Sequence, residues 1–291
     1  MSEPINGTEI EQPPETDPSQ ESETPESSPW LPSPVQVHRY KTPEAVADAA
    51  AKRFLDTANR AVEKLDHFVV ALAGGSTPRL LYQRLTESPY RERVPWDKTF
   101  FVFGDERCVG PDDESSNYRM AKETLFDPLE IPGHRVLRMK GEEIPADAAR
   151  RYAVRLGDLF LTRPAPSFDL VLLGIGTDGH TASLFPETEA LDETERWVVA
   201  NHVPALDSWR LTLTFPILNK AKRVIFLATG ESKARIIAEA FGGVEHAEPY
   251  PCERVTPLHV RREALVDFEA ASMMPRRDDA GANAEGDSIR P

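Results

Sequence analysis

Short apolar runs alternate along the chain with longer segments in which apolar residues recur every three or four positions. The apolar runs have the length and continuity of strands buried on both faces, and they lie at residues 67–73, 99–103, 168–174 and 223–228. The segments with helical spacing include residues 42–65 and 146–161. This alternation predicts an α/β domain with a mostly parallel sheet and helices on both of its faces.

Weaker patterns complete the predicted order of elements. Residues 35–40 alternate weakly and predict a first strand, and Thr42 with Pro43 predicts the cap and the first turn of the helix that follows. Further strands are predicted at 196–203 and 210–215, and further helices at 120–126, 216–220 and 229–240. A last strand and a short helix are expected to end the fold near residue 271.

The stretch from residue 168 to residue 186 contains the most informative polar side chains. Ligands of open parallel sheets bind beyond the carboxyl ends of the strands, so we expect Asp178 and His180, which follow an apolar run, to lie at that edge. Taken alone, the stretch also matches a dinucleotide fingerprint, a metal motif or a plain glycine turn with a capping histidine. Pro186, which stops the segment early, disfavours the first alternative, and the lack of a third ligand nearby in the sequence disfavours the second.

A second glycine turn, at residues 74–78, predicts an anion site. A strand runs into Gly-Gly-Ser-Thr-Pro, and a segment with helical spacing follows. Backbone N–H groups, the hydroxyls of Ser76 and Thr77 and the positive end of a helix macrodipole would converge there. The turn lacks the Gly-Lys-Ser/Thr of a Walker loop, and Pro78 stands where a nucleophile elbow has its second glycine. The alternative is a structural turn in which Ser76 or Thr77 only caps the helix.

Charged residues follow two more of the predicted strands. Residues 105–107, Asp-Glu-Arg, come directly after the strand at 99–103, where a charged cluster is either a solvated loop or part of a pocket. Lys233 lies in the first turn of the helix after the strand at 223–228, from which it could reach the same edge of the sheet. A surface lysine is usually solvated, so the sequence around Lys233 does not by itself indicate a functional role. The same holds for residues 105–107.

The composition separates a folded body from two polar ends. The first 34 residues carry eight acids, no Lys or Arg, and many Pro, Ser and Thr. Such a segment cannot bury enough apolar surface to offset its ordering entropy. We therefore expect one domain at residues 35–272 between two disordered tails, at 1–34 and 273–291.

The net charge limits the partners that are expected. The 291-residue chain has a formal net charge of −14, and the part after the acidic first 34 residues still has −6. We expect no nucleic-acid partner, because that needs a basic face, and no membrane association, because the sequence has no long apolar run and no signal peptide. A cytoplasmic protein is expected, either a monomer or a weak homo-oligomer. Cys108 and Cys252 are expected to form neither a disulfide nor a metal cluster.

Taken together, these stretches resemble the 6-phosphogluconolactonase family, within the wider glucosamine-6-phosphate isomerase and deaminase superfamily. The resemblance covers most of residues 35–271 and rests on five blocks that occur in the same order as in the family: 73–78, 105–107, 116–118, 174–186 and 210–214. The motif Thr229-Gly-x-x-Lys233 follows them in the chain. It implies a three-layer α/β/α, Rossmann-like domain, in agreement with the pattern of apolar runs. It also implies hydrolysis of a sugar-phosphate lactone in the pentose phosphate pathway, with no cofactor and no metal.

The resemblance also implies roles for individual residues. The residue that matches the family's histidine, His180, is expected to act as a general base, since an ordinary imidazole with a pKa of about 6.5 is mostly neutral near pH 7. Asp178 is expected to orient it. Arg107 is expected either to polarise the lactone carbonyl or to contact the phosphate. The family's phosphate site carries over to a glycine turn and two cations: Gly75, Ser76, Thr77, Arg210 and Lys233.

Two other functions compete with lactone hydrolysis. The family that deaminates glucosamine 6-phosphate has a glutamate where this chain has Phe185, so a proton relay here would lack a carboxylate. A sugar-phosphate sensor would bind without turnover, but the sequence has no recognisable helix-turn-helix and no basic face. Ammonia release would indicate the deaminase, and binding without hydrolysis would indicate the sensor.

Overall fold

The computed structural model describes Met1 and residues 35–243, 248–257 and 260–275. The predicted tails at 1–34 and 273–291 lie outside the described residues, apart from Met1 and residues 273–275, and their disorder stays a prediction. Within the described ranges, no helix combines the length and the apolar character that a bilayer crossing requires.

Six strands form the central sheet, and every neighbouring pair in it runs parallel. In spatial order across the sheet they are β1 (Gln36–Tyr40), β9 (Arg262–Asp267), β8 (Val224–Ala228), β5 (Leu170–Gly174), β2 (Phe68–Leu72) and β3 (Thr99–Phe103). The strands β2, β5 and β8 are buried along almost their whole length, as expected of a sheet covered on both faces. The mostly parallel sheet predicted from the apolar runs is confirmed.

The helices follow the pattern predicted along the chain. The side chain of Thr42 accepts a hydrogen bond from the N–H of Ala45 at 3.2 Å, and Pro43 occupies the first turn, so the first helix begins where the sequence predicts. The α-helices of the described residues flank the sheet in a three-layer, Rossmann-like arrangement, and they are α1 (Pro43–Leu65), α2 (Ser76–Leu85), α3 (Tyr90–Arg93), α4 (Asn117–Ala121), α5 (Pro145–Phe160), α6 (Phe215–Leu218) and α7 (Ala234–Phe241).

A smaller, antiparallel sheet is not evident from the apolar pattern. Its strands, in spatial order, are β4 (Asp105–Arg107), β7 (Ser208–Leu213) and β6 (Val198–Val203). The chain passes from β3 into β4 at Gly104, whose N–H donates to the C=O of Leu72 at 2.9 Å and whose C=O accepts from the N–H of Leu213 at 2.8 Å. Residues 105–107, for which the sequence left open a solvated loop or part of a pocket, form the strand β4.

Two predicted helices differ clearly from the structure, and the one predicted at 229–240 begins as the 3-10 turn Glu231–Lys233 before α7. The helix expected at 120–126 is α4 followed by a π-helical turn. The short helix expected at the end of the fold is a series of turns at residues 268–273, although the carboxylate of Asp267 accepts the N–H of Ala270 at 2.8 Å, as a helix N-cap does. Neither difference changes the strand order.

The strand order brings three loops side by side. Because β5 lies between β2 and β8, the loops that follow these strands leave the same edge of the sheet next to one another. The hydroxyls of Thr77, after β2, and Thr229, after β8, are 2.8 Å apart and hydrogen-bonded. The loop after β2 and the loop after β8 are thus directly linked.

Candidate active site

A cavity of about 460 Å³ opens at the carboxyl edge of the parallel sheet. Its wall comes from the loops after β2, β5 and β8 and from β4 and β7 of the antiparallel sheet. Every residue for which the sequence predicts a role lines it: Gly75, Ser76, Thr77, Arg107, Asp178, His180, Arg210 and Lys233. The fold therefore brings these residues, which are far apart in the chain, into one space.

One side of the cavity is formed by the N-terminus of α2. Gly75 has a φ of +103°, a conformation that favours glycine, and turns the chain from β2 into the helix. In the described chain no side chain caps α2, so the alternative in which Ser76 or Thr77 only caps the helix is wrong. The first-turn N–H groups and the exposed hydroxyl of Ser76 can therefore bind an anion.

Asp178 and His180 lie on a tight turn that follows β5. The N–H of Gly176 donates to the C=O of His180 at 2.8 Å and closes the turn. A Cβ at position 176 would lie 2.1 Å from Nδ1 of His180, so a larger residue would displace the imidazole. Because the residues after β5 form turns and not the start of a helix, the stretch is not a dinucleotide-binding fingerprint.

A hydrogen bond of 2.6 Å joins Oδ1 of Asp178 to Nδ1 of His180. Burial raises the pKa of Asp178, but the hydrogen bond and the charge of His180 outweigh burial and lower that pKa below the ordinary aspartate value. Asp178 is therefore a carboxylate at neutral pH. The proton of the neutral imidazole then lies on Nδ1, where the carboxylate accepts it, and Nε2 can take up a proton.

Two arginines face each other across the antiparallel ladder. Arg107 of β4 and Arg210 of β7 are register partners, and residues at such positions project from the same face of a sheet. Burial lowers the pKa of Arg210, and the positive charge of Arg107 lowers it further. Like charges opposite each other are unfavourable unless an anion lies near them, so this pair is typical of an anion-binding wall.

Lys233 brings a third cation to the cavity. It lies in the 3-10 turn Glu231–Lys233 between β8 and α7, and it is partly buried where a surface lysine would be solvated. Burial lowers the pKa of Lys233, and the charge of Asp178 opposes this effect. The ammonium is therefore within electrostatic reach of the turn that carries His180.

Three polar residues of the wall for which the sequence predicts no role form one hydrogen-bonded group: Asp105, Asn117 and Ser183. The hydroxyl of Ser183 donates to Oδ2 of Asp105 at 2.6 Å, and the amide of Asn117 donates to Oδ1 at 3.2 Å. The period of a strand could have identified Asp105, because it shares one face of β4 with Arg107. Asn117 and Ser183 gave no such signal, because their contacts join segments that are distant in the chain.

Glu106, on the other face of β4, has a structural role. It is 2% exposed, and its carboxylate accepts the backbone N–H groups of Arg107, Asn117 and Tyr118, each at 2.8 Å. Burial raises the pKa of Glu106, and these backbone hydrogen bonds oppose the rise. Glu106 therefore ties β4 to the start of α4 and does not line the cavity.

The turn after β5 does not have the ligand set of a metal centre. Within the described ranges, no group of three or more His, Cys, Asp or Glu side chains could hold a metal ion. Asp178 and His180 therefore lack a third protein ligand there, and a catalytic zinc site usually has three. The cavity instead places Asp178 and His180 beside a helix N-terminus and three cationic side chains.

Comparison with known families agrees with this arrangement. The family described as glucosamine-6-phosphate isomerases/6-phosphogluconolactonase matches residues 41–265. A 6-phosphogluconolactonase of Aggregatibacter actinomycetemcomitans is 35% identical over 229 residues, which cover 75% of this chain and 97% of the relative. The family match thus includes every segment that lines the cavity.

Solved structures have the same fold. The 6-phosphogluconolactonase from Trypanosoma cruzi has 28% identity and a TM-score of 0.73, with 82% of this chain and 96% of that chain covered. A monomeric glucosamine-6-phosphate deaminase has 25% identity and a TM-score of 0.68, with 82% of this chain and 100% of that chain covered. The fold is therefore common to proteins with two different activities. On the match over residues 41–265, this chain belongs to the glucosamine-6-phosphate isomerase/6-phosphogluconolactonase family.

Proposed function

We propose that this protein hydrolyses 6-phospho-D-glucono-1,5-lactone to 6-phospho-D-gluconate, a step of the pentose phosphate pathway. The names of relatives that are 35% identical support this substrate. The structural observation that carries the proposal is the shared cavity: the pair of Asp178 and His180 faces the same space as a helix N-terminus and three cationic side chains.

In the proposed complex, the phosphate of the substrate binds at the N-terminus of α2. Gly75, Ser76 and Thr77 provide backbone and hydroxyl donors, and Arg210 and Lys233 provide positive charge. Charge-assisted hydrogen bonds of this kind contribute roughly 1.5–3 kcal/mol each. The partial burial of both cations supports the proposal, since a bound phosphate would offset the cost of their desolvation.

Hydrolysis needs one base and one water molecule. Nε2 of His180 takes a proton from the water as its oxygen bonds to C1 of the lactone, and the carbonyl electron pair moves onto the carbonyl oxygen. When the carbonyl re-forms, the bond from C1 to the ring oxygen breaks, and the imidazolium returns its proton to that oxygen. Asp178 stabilises the imidazolium while it exists.

Arg107 shares a sheet face with Asp105 and lies opposite Arg210. From this position its guanidinium either polarises the lactone carbonyl or makes a second contact with the phosphate. A variant Arg107→Lys separates the two roles, because a loss in kcat at constant KM indicates the carbonyl and a rise in KM indicates the phosphate.

The direct test is acid release from freshly prepared 6-phosphogluconolactone, followed in a pH-stat and corrected for the spontaneous rate. We expect release that saturates with substrate and is proportional to protein concentration. Release no faster than in a heat-inactivated sample, from protein whose circular dichroism is that of a folded α/β domain, would exclude the lactonase.

Deamination of glucosamine 6-phosphate is the second candidate, because a deaminase has the same fold. The side chain stacked on His180 is the apolar ring of Phe185, and among the described residues Asp178 is the one carboxylate that pairs with the imidazole. This favours the lactonase, since no second carboxylate of the described chain is in place for a proton relay. Ammonia release from glucosamine 6-phosphate, measured on the same preparation, distinguishes the two.

We further propose that residues 35–272 are the catalytic unit and that 1–34 and 273–291 are tails that it does not need. The lining of the cavity extends from Leu72 to Lys233, which supports this division. A protein without residues 1–34 should keep its kcat/KM, and a large loss would contradict the division. The cytoplasmic location, the monomeric or weakly homo-oligomeric state and the absence of a nucleic-acid partner stay predictions.

A further inference from the structure

The ring of Phe185 lies on the face of the His180 imidazole. The two ring centroids are 3.9 Å apart, and the ring planes are inclined by 28°, which is a stacked arrangement. Both side chains line the cavity. The proposed steps of hydrolysis make no use of this aromatic ring.

Backbone contacts on both sides hold Phe185 in place. The N–H of Leu184, a fully buried residue, donates to the C=O of Thr181 at 3.0 Å. The hydroxyl of Thr188 donates to the C=O of Phe185 itself at 2.8 Å. These bonds fix the backbone on both sides of Phe185, so its ring can leave the imidazole only by rotation about its own side-chain bonds.

We propose that Phe185 is a positioning residue that fixes the plane of the His180 imidazole and stabilises the imidazolium formed during hydrolysis. This inference rests on the proposed lactonase function. The hydrogen bond from Nδ1 to Asp178 holds one edge of the imidazole but leaves the ring able to rock about that bond. The stack with Phe185 removes this freedom and keeps Nε2 directed at the attacking water.

The stack acts more strongly on the transition state than on the resting enzyme. A neutral imidazole gains mainly dispersion from an apolar ring, whereas a cation over an aromatic face is also attracted by the ring quadrupole. The imidazolium exists only after a proton has left the water, so this attraction raises kcat and leaves substrate affinity unchanged.

The imidazolium has few other sources of stabilisation in the cavity. Asp178 is the carboxylate that pairs with His180. The other charged side chains of the cavity make no ion pair with His180 among the residues described: Asp105, Arg107, Arg210 and Lys233. Phe185 and Asp178 therefore share the task of stabilising the charge that forms on the ring.

The test replaces Phe185 by leucine, which keeps an apolar side chain but removes the aromatic face. We expect Phe185→Leu to lower kcat roughly 3- to 30-fold, with KM changed by less than about 2-fold. Phe185→Tyr retains the face and should restore kcat to within about 3-fold of the wild type. A purely structural role would instead change stability, or would change KM and kcat together.

A matched control is available at Phe100. Its ring also contacts a histidine, His67, at a centroid distance of 6.1 Å, and Phe100 does not line the cavity. Phe100→Leu makes the same chemical change beside a histidine without a predicted catalytic role, so its kcat should equal that of the wild type.

A spectroscopic measurement tests the stack without turnover. In the wild type and in Phe185→Tyr, the C–H resonances of the His180 ring should be shifted upfield by the ring current of the stacked neighbour, and in Phe185→Leu this shift should be lost. A kcat of Phe185→Leu within about 2-fold of the wild type, or wild-type resonances without the shift, would overturn the proposal. If the leucine variant does not fold, the proposal is still tested by two results: the upfield shift of the wild-type His180 resonances and a kcat of Phe185→Tyr close to that of the wild type. A wild type that shows the shift but releases no acid would instead refute the lactonase.

Discussion

Oδ1 of Asp178 lies 2.6 Å from Nδ1 of His180, two residues further along the same turn. The backbone N–H of His180 donates to the same oxygen at 3.2 Å, so the carboxylate is held by two groups of one residue. The geometry of the pair therefore depends on a short local segment and not on how distant parts of the chain pack. Such an arrangement is pre-organised for proton transfer before substrate arrives.

Asp178→Asn tests the charge of this pair, since asparagine keeps the shape and can still accept from Nδ1. Loss of the charge removes stabilisation of the imidazolium, and we expect kcat to fall roughly 10- to 100-fold, the equivalent of a charged hydrogen bond. Steady-state kinetics on the fresh lactone measure the effect, and KM should stay close to that of the wild type. A fully active Asn variant would show that the carboxylate does not assist the base.

His180→Ala removes the proposed base. We expect kcat to fall roughly 10²- to 10⁴-fold, while binding of the substrate phosphate is retained. Titration calorimetry with the product, 6-phosphogluconate, checks the binding of the variant. Turnover at the wild-type rate would remove His180 from the mechanism.

Lys233→Ala and Arg210→Ala test the anion site. In the proposed complex each variant loses a charge-assisted hydrogen bond to phosphate, so we expect KM to rise roughly 10- to 100-fold and kcat to change much less. Lys140→Ala, at an exposed lysine that does not line the cavity, is the control and should leave both constants unchanged. If neither cavity variant alters KM, the phosphate binds elsewhere.

Gly176→Ala tests the close packing under the imidazole. The new Cβ would meet Nδ1 of His180 at 2.1 Å and Oδ1 of Asp178 at 2.5 Å, so the pair has to move. We expect a loss of kcat of roughly 10-fold or more, because a misplacement of about 1 Å can cost that much. Gly110→Ala, where no atom lies within 4 Å of the added Cβ, should behave as the wild type in the same assay.

Glu263 on β9 makes stability depend on pH. Its side chain is 4% exposed and pairs with Arg53 at 2.9 Å and Arg223 at 2.5 Å. Burial raises the pKa of Glu263, but the hydrogen bonds and charges of the two arginines outweigh burial and lower it. The contribution to stability is therefore complete above the ordinary glutamate pKa of about 4.3 and is lost as the pH falls through the lower pKa of the folded state.

Glu263→Gln should accordingly lower the free energy of unfolding by about 2 kcal/mol at pH 7. The difference from the wild type should shrink as the pH falls below about 4, because the wild-type carboxyl is then protonated as well. Denaturant unfolding of both proteins at pH 7 and at a pH below about 4 measures the difference in the free energy of unfolding. A difference that is the same at both pH values would contradict a lowered pKa of Glu263 in the folded protein.

The parallel sheet and three of the site loops could be predicted because each depends on local pattern. Apolar runs specify the buried strands, and the glycines at the ends of β2 and β5 mark where the chain must turn. Once the strands are parallel, their loops share an edge. The positions of Ser76, Asp178 and His180 follow from these facts.

The strands β6 and β7 of the antiparallel sheet could be predicted in the same way, but β4 and the pairing of the three strands could not. β4 has three residues, all charged, and carries no hydrophobic period. Asp105 and Glu106 are buried because hydrogen bonds from Ser183 and from the start of α4 satisfy them, and such partners appear only when distant segments meet. The contact between Phe185 and His180 is of the same kind, since the spacing of the two residues is evident from the sequence but the path of the turn between them is not.

The chain passes through Gly104 from the large sheet into the small one, and the cavity lies between the two sheets. Loops of the large sheet carry Ser76, His180 and Lys233, the small sheet carries the two arginines, and the hydrogen bond from Ser183 to Asp105 spans the gap. The separation of the two sheets therefore sets the distance between the two arginines and the groups on the loops of the large sheet. Substitutions behind the small sheet would change this distance, and with it the size of the ligand that fits, without contacting the ligand.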